Sequence, residues 1–105
     1  MYKIEINIYN SRILVFTDKV KFRRKTKVKD NEFEGYTVEG TNNEFYVYLP
    51  EIYDDSVLAH ECIHLGWFIL DNVGVELDVD NHEALAYLVS YLMKKIKKVV
   101  YEKSS

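Results

Sequence analysis

The chain has one cysteine, one proline and four glycines among 105 residues. A lone cysteine excludes an internal disulfide framework. So little proline and glycine, beside nine tyrosines and 48% hydrophobic residues, excludes a disordered or low-complexity chain. No apolar run approaches the ~18 residues of a membrane span, so no membrane partner is expected. The start, Met1-Tyr2-Lys3-Ile4-Glu5, lacks the apolar core and small-residue cleavage site of a secretory signal. A cytoplasmic location is the expectation. Basic residues are missing altogether from Asp30 to Met93, where 14 of the 17 acids fall. Seven lysines and arginines crowd between Lys19 and Lys29, and five lysines between Lys94 and Lys103. The net charge of −3 therefore hides an acidic middle between two basic segments. The basic segments either fold over the acidic block or leave an acidic cleft for a basic substrate. The run Arg23-Arg24-Lys25 has no nucleic-acid fold signature around it, which argues against a nucleic-acid partner.

The length suits one domain, residues 1–105, with a modest core that a metal or a partner chain could support. Residues 1–50 alternate with period two, the pattern of strands. Tyr2, Ile4, Ile6 and Ile8 share one face of the first strand, and Arg12–Phe16 is a second. Val20 and Phe22, alternating with Lys21 and Arg23, continue the strand pattern. Tyr36 and Val38 share a face within a strand at 34–39. Gly40-Thr41-Asn42-Asn43 reads as a turn into a last strand, 44–49, whose Phe45, Val47 and Leu49 oppose Tyr46 and Tyr48. The period then becomes helical. A helix over 53–73 opens at Asp54, Asp55 or Ser56 and stops before Gly74. A second, over 80–101, is capped by Asp80 and carries lysines in its last turns, the sign that suits a helix C-terminus. Strands first and helices last predict an α+β fold: a small antiparallel sheet packed on one face by two C-terminal helices.

His60-Glu61-Cys62-Ile63-His64 fits H-E-x-x-H, inside the first helix. Residues four apart on a helix stand one above the other, so two imidazoles can converge on one zinc ion. Zinc (Zn2+) is the expected cofactor, since two histidines and a carboxylate favour it over harder cations. Glu61 sits where it can take a proton from a zinc-bound water of lowered pKa. A catalytic zinc needs a third protein ligand. The position six after His64 is Leu70, so that ligand must come from elsewhere. The second helix offers Glu83, 19 residues on, or its neighbour His82. Glu83 also fits a capping box with Asp80, and one carboxylate cannot easily serve both roles. Tyr87, one turn after Glu83, is the candidate to stabilise a developing oxyanion, with Tyr53 and Tyr91 as weaker options, although with nine tyrosines in the chain a core role is the commoner reason for one there. Cys62 reads as a small core residue and Trp67 and Phe68 as anchors to the sheet. Asp71 could orient a ligand histidine or be solvated.

The segment His60–Asp71, with Gly74 and Asn81-His82-Glu83-Ala84-Leu85-Ala86-Tyr87-Leu88, resembles small phage and prophage zinc metallopeptidase-like proteins of the gluzincin type. The likeness covers residues 56–92. It implies a minimal zincin-like domain with an active-site helix carrying His60, Glu61 and His64 and a glutamate helix carrying Glu83. It implies a phage-encoded protein at work in the host cell. It also implies a peptide or protein substrate that pairs with the last strand before the motif helix, here 44–49, if that strand is a sheet edge and not internal.

Two functions follow as expectations. The first is a zinc metallopeptidase with His60, His64 and Glu83 on the metal, Glu61 as general base and Tyr87 assisting. The second is a non-catalytic binding or inhibitor module of phage type that keeps the scaffold without turnover. An incidental motif, with no metal bound at neutral pH, is the plain alternative to both.

Overall fold

The computed structural model describes residues 1–102. Lys103, counted above with the C-terminal basic segment, lies outside the described residues. Four strands form one sheet: β1 (Tyr2–Ile6), β2 (Ser11–Phe16), β3 (Tyr36–Glu39) and β4 (Glu44–Tyr48). Three α-helices follow the order α1 (Lys19–Thr26), α2 (Asp55–Asn72) and α3 (His82–Ile96), and the chain leaves α3 through a wider turn over Lys97–Tyr101. The fold is α+β, as the change of period predicts.

The sheet order is β1-β2-β4-β3. β1 pairs antiparallel with β2, and β3 with β4, but β2 and β4 run parallel, with Ile13 opposite Phe45 and Val15 opposite Val47. The sheet is therefore mixed and not purely antiparallel. The parallel pair arises because the chain leaves β2 through α1 and makes the β3–β4 hairpin before it returns, which reverses its direction twice. Asn42 and Asn43 supply the two positive φ angles, 56° and 60°, of that hairpin's turn.

Alternation along the strands feeds two cores. Ile4, Ile6, Ile13, Val15, Phe45, Val47 and Leu49 meet Leu58, Cys62, Leu65 and Ile69 of α2 and Leu88, Leu92 and Ile96 of α3. Leu14 and Phe16, with Tyr36, Val38, Tyr46 and Tyr48, face the other way and pack around Phe22. The strand assignment for Val20–Arg23 is thus wrong. Asp18 accepts from the backbone N–H of Lys21 and caps α1, which lays Phe22 on the second face of the sheet. Phe22 is 0% exposed, ringed by Phe16, Phe33, Tyr36 and Tyr48 at 5.8–6.0 Å between centroids. Helices therefore cover both faces of the sheet. Ile8, expected on the core face of the first strand, stands in a 3-10 turn over Asn7–Tyr9 and is 83% exposed.

β4 lies between β2 and β3, so the strand at 44–49 is internal and cannot receive a peptide. The free edge beside α2 belongs to β3. No helix among the described residues is long and apolar enough to cross a membrane.

Candidate functional site

Helix α2 presents the motif because its apolar residues fall on one stripe. Leu58, Cys62, Leu65 and Ile69 face the sheet, which leaves positions 60, 64, 67 and 71 outward. Asp54 opens the helix by accepting from the Ser56 hydroxyl and from the backbone N–H groups of Val57 and Ser56, which together hold its carboxyl below the usual range. One turn later His60 and His64 stand together, both exposed, with Nε2 to Nε2 at 3.2 Å. Two nitrogens bound to one tetrahedral zinc at ~2.0–2.1 Å would lie roughly 3.3 Å apart. The two imidazoles thus have the separation that a shared metal requires of two of its ligands. The ring of Phe68 stacks on His64 at 26° and 6.4 Å between centroids.

Glu61 points to the other side of this pair. It is only 4% exposed, one of two polar or charged side chains buried among the described residues. Its Oε1 accepts from the Thr37 hydroxyl of β3 at 2.6 Å, and its Oε2 lies 4.0 Å from His60 Nε2. Gly35 is what lets β3 approach. A Cβ there would stand 2.7 Å from Val57 Cγ1 and 2.8 Å from Glu61 Oε2, so any side chain would displace the carboxylate. Gly35, Tyr36, Thr37, His60, Glu61, His64 and Phe68 line a cavity of about 240 Å³ that opens beside the free edge of β3. The Thr37 hydroxyl donates to this buried carboxylate and offsets part of the cost of taking it out of water.

The remaining candidates stand elsewhere. A Cβ on Gly66 would meet Leu85 and Val89 at 3.0 and 3.2 Å, so α3 packs on the Gly66 face of α2. That face is about 200° of helix rotation from His64. Glu83 and His82 are exposed in the first turn of α3, and the structure does not bring either to the imidazoles. Among the described residues no three His, Cys, Asp or Glu side chains converge as a metal-binding group. The capping box is not formed either. The cap residue is Asn81, not Asp80, and its side chain is turned back to the backbone of Glu76 and Asp78. The Glu83 side chain makes no hydrogen bond or ion pair among the described residues. Tyr87 and Tyr91 line a separate groove of about 460 Å³ with Ile6, Ile8, Tyr9 and Leu88, so Tyr87 is not brought to the pair as an oxyanion donor. Tyr53 donates to Asp55.

Cys62 is core, as its place on the helix implies, and burial together with nearby Glu61 pushes its thiol up to about 12. Trp67 is not an anchor. It is 51% exposed because it shares the outward stripe with His60. Asp71 accepts no proton from either imidazole through its side chain. The residue that sequence reasoning missed is Thr37, together with Gly35. A strand residue carries no mark of the helix it will face, and only the glycine hinted at a close approach.

The chain matches no family model, no curated protein and no solved structure. The resemblance carried by His60–Leu88 therefore rests on those residues alone.

Proposed function

We propose that the protein is a zinc-dependent hydrolase acting on peptide bonds, with His60 and His64 as zinc ligands, Glu83 as the third ligand and Glu61 as general base. The convergence of the two Nε2 atoms at 3.2 Å beside a buried, hydroxyl-oriented carboxylate carries this reading. Glu83 must be brought over by movement of the first turn of α3. Its carboxylate is exposed and its side chain bonds to nothing, so the contacts that such a movement breaks are those of Asn81 with Glu76 and Asp78 and of Leu85 with Gly66.

When bound, zinc supplies Lewis-acid chemistry that activates water and polarises the scissile carbonyl. The chain supplies the rest. The free edge of β3 takes an extended peptide by strand addition, which lays the scissile bond across the imidazoles. Thr37 fixes one oxygen of Glu61 and leaves the other facing the cavity. Glu61 accepts a proton from the attacking water as its oxygen bonds to the carbonyl carbon, then returns it to the amine nitrogen as the C–N bond breaks.

The test joins elemental analysis to a peptide-hydrolysis assay. One zinc per chain, with hydrolysis lost in Glu61→Gln and metal retained, is the expected result. Hydrolysis that survives Glu61→Gln defeats the mechanism. A second reading, a non-catalytic phage-type binding module, is favoured by one observation: three ligands do not converge among the described residues. A host protein that co-purifies uncleaved with both wild type and Glu61→Gln would support it.

A further inference from the structure

We infer that the segment received at the β3 edge is cationic: an extended peptide with lysine or arginine on both sides of the residue held at His60 and His64. The inference takes its site from the hydrolase reading and adds the chemical class of the occupant.

The cavity beside the imidazoles, about 240 Å³, is smaller than the ~300–1,000 Å³ of a site that encloses a whole small-molecule ligand. It takes one residue, and the rest of any ligand must run along the open edge. The walls of that path, the segment before β3, β3 itself and α2, all come from residues 30–93. That stretch contains 14 carboxylates and no lysine or arginine. Three exposed acids lie on the elements that form this path. Glu34 precedes Gly35. Glu39 lies on the same face of β3 as Thr37, two residues on. Asp71 lies eleven residues after His60, about 20° away on the same helix stripe. None of the three has a side-chain hydrogen bond or an ion pair among the described residues.

The basic segments make no ion pair with these three acids among the described residues. Helix α1 covers the opposite face of the sheet. Its Lys19 donates to the carbonyls of Asn31 and Phe33 and sits over the rings of Phe33 and Tyr48. Arg23 donates to the carbonyls of Val28 and Lys29. Lys94 and Lys97 line a different groove with Tyr53, Asp55 and Leu58. Glu34, Glu39 and Asp71 thus keep carboxylates open to the cations of an incoming peptide.

The experiment uses the full chain carrying Glu61→Gln, so that binding is read without turnover. Two fluorescent twelve-residue peptides share a central Ala-Phe-Ala, one flanked by lysines and the other by glutamates. Anisotropy is expected to show the lysine peptide bound at least tenfold more tightly. The advantage should fall severalfold in 0.5 M salt and in the double variant Glu39→Lys, Asp71→Lys, whose fold is checked by circular dichroism. Equal binding, a preference for the glutamate peptide, or binding of neither peptide overturns the proposal. Salt-sensitive self-association that competes with the peptide overturns it too, since the occupant would then be the Lys19–Lys29 segment of a second copy. Selective binding of the lysine peptide, with no cleavage by zinc-loaded wild type, would sink the hydrolase reading and leave this one standing.

Discussion

Thr37→Val isolates the contact on which Glu61 depends. The substitution exchanges one oxygen for a methyl and preserves strand propensity and branching. The lost bond runs from the Thr37 hydroxyl to Glu61 Oε1 at 2.6 Å, with the carboxylate 4% exposed. Hydrogen bonds to charged groups are worth about 1.5–3 kcal/mol, and a buried acceptor that loses its donor also keeps its desolvation cost. Thr37 is half-buried, so water can partly replace it, and the added methyl regains some apolar contact. A net loss of about 2 kcal/mol follows, which in a domain of this size lowers Tm by roughly 8–16 °C. Urea and thermal unfolding followed by circular dichroism measure it. Thr37→Ser retains the donor and should recover most of the loss. In a Glu61→Gln background the acceptor remains but its charge does not. The cost of Thr37→Val should then fall towards the ~0.5–1.5 kcal/mol of a neutral bond. If the cost is below about 0.5 kcal/mol in wild type, or equal in both backgrounds, the hydroxyl does not hold a buried charge and the argument for a pre-oriented base fails. Hydrolysis by Thr37→Val should drop while zinc content stays constant.

Three further outcomes follow from the same structure. Gly35→Ala puts a Cβ 2.7–2.9 Å from Val57 and Glu61, so it should cost about 1–3 kcal/mol by overpacking and depress hydrolysis more than Gly66→Ala does, as judged by parallel unfolding and rate measurements. Phe22→Ala should cost about 3–5 kcal/mol, a large share of what a small domain possesses, and should loosen α1 in hydrogen exchange before α2. The Asp54 cap sets a pH dependence: its carboxyl binds a proton less readily folded than unfolded, so its stabilisation is complete at neutral pH and is lost as pH falls below the ordinary value of 3.8. Asp54→Asn keeps a capping oxygen and should flatten that acid limb in a pH series of unfolding midpoints.

What could be read from the residues alone divides along the range of the interactions. Helix α2 was legible because its period, its Asp54 cap and the stop near Gly74 are all local, and the faces of β2 and β4 were legible because alternation assigns them residue by residue. Helix α1 was not. Four alternating residues, Val20 to Arg23, fit a strand as well as one turn of helix, and the deciding signal was the capping oxygen of Asp18 at the preceding position. The rank of a strand within its sheet has no local mark either. Residues 44–48 alternate in the same way whether they are internal or at an edge, and only their pairing with both β2 and β3 makes them internal.

The site divides in the same manner. The separation of His60 and His64 is fixed by helix geometry, so four residues of sequence predicted it. The support of Glu61 depends on β3, which is 24 residues away in sequence and brought close only because Gly35 lacks a side chain. Glu83 tests the boundary between the two. Its distance to the imidazoles depends on where α3 begins, which is set by the Asn81 and Asp78 side-chain bonds within residues 73–81 and not by a capping bond to Glu83. Shortening that connection by one residue would break the Asn81 and Asp78 bonds and pull on the first turn of α3, while Leu88, Leu92 and Ile96 hold the rest of the helix in the core. Zinc retention after such a deletion, compared with that of Glu83→Gln in the unaltered chain, separates a carboxylate that must reach the metal from one that merely sits nearby. Equal, undiminished zinc in both variants would remove Glu83 from the ligand set.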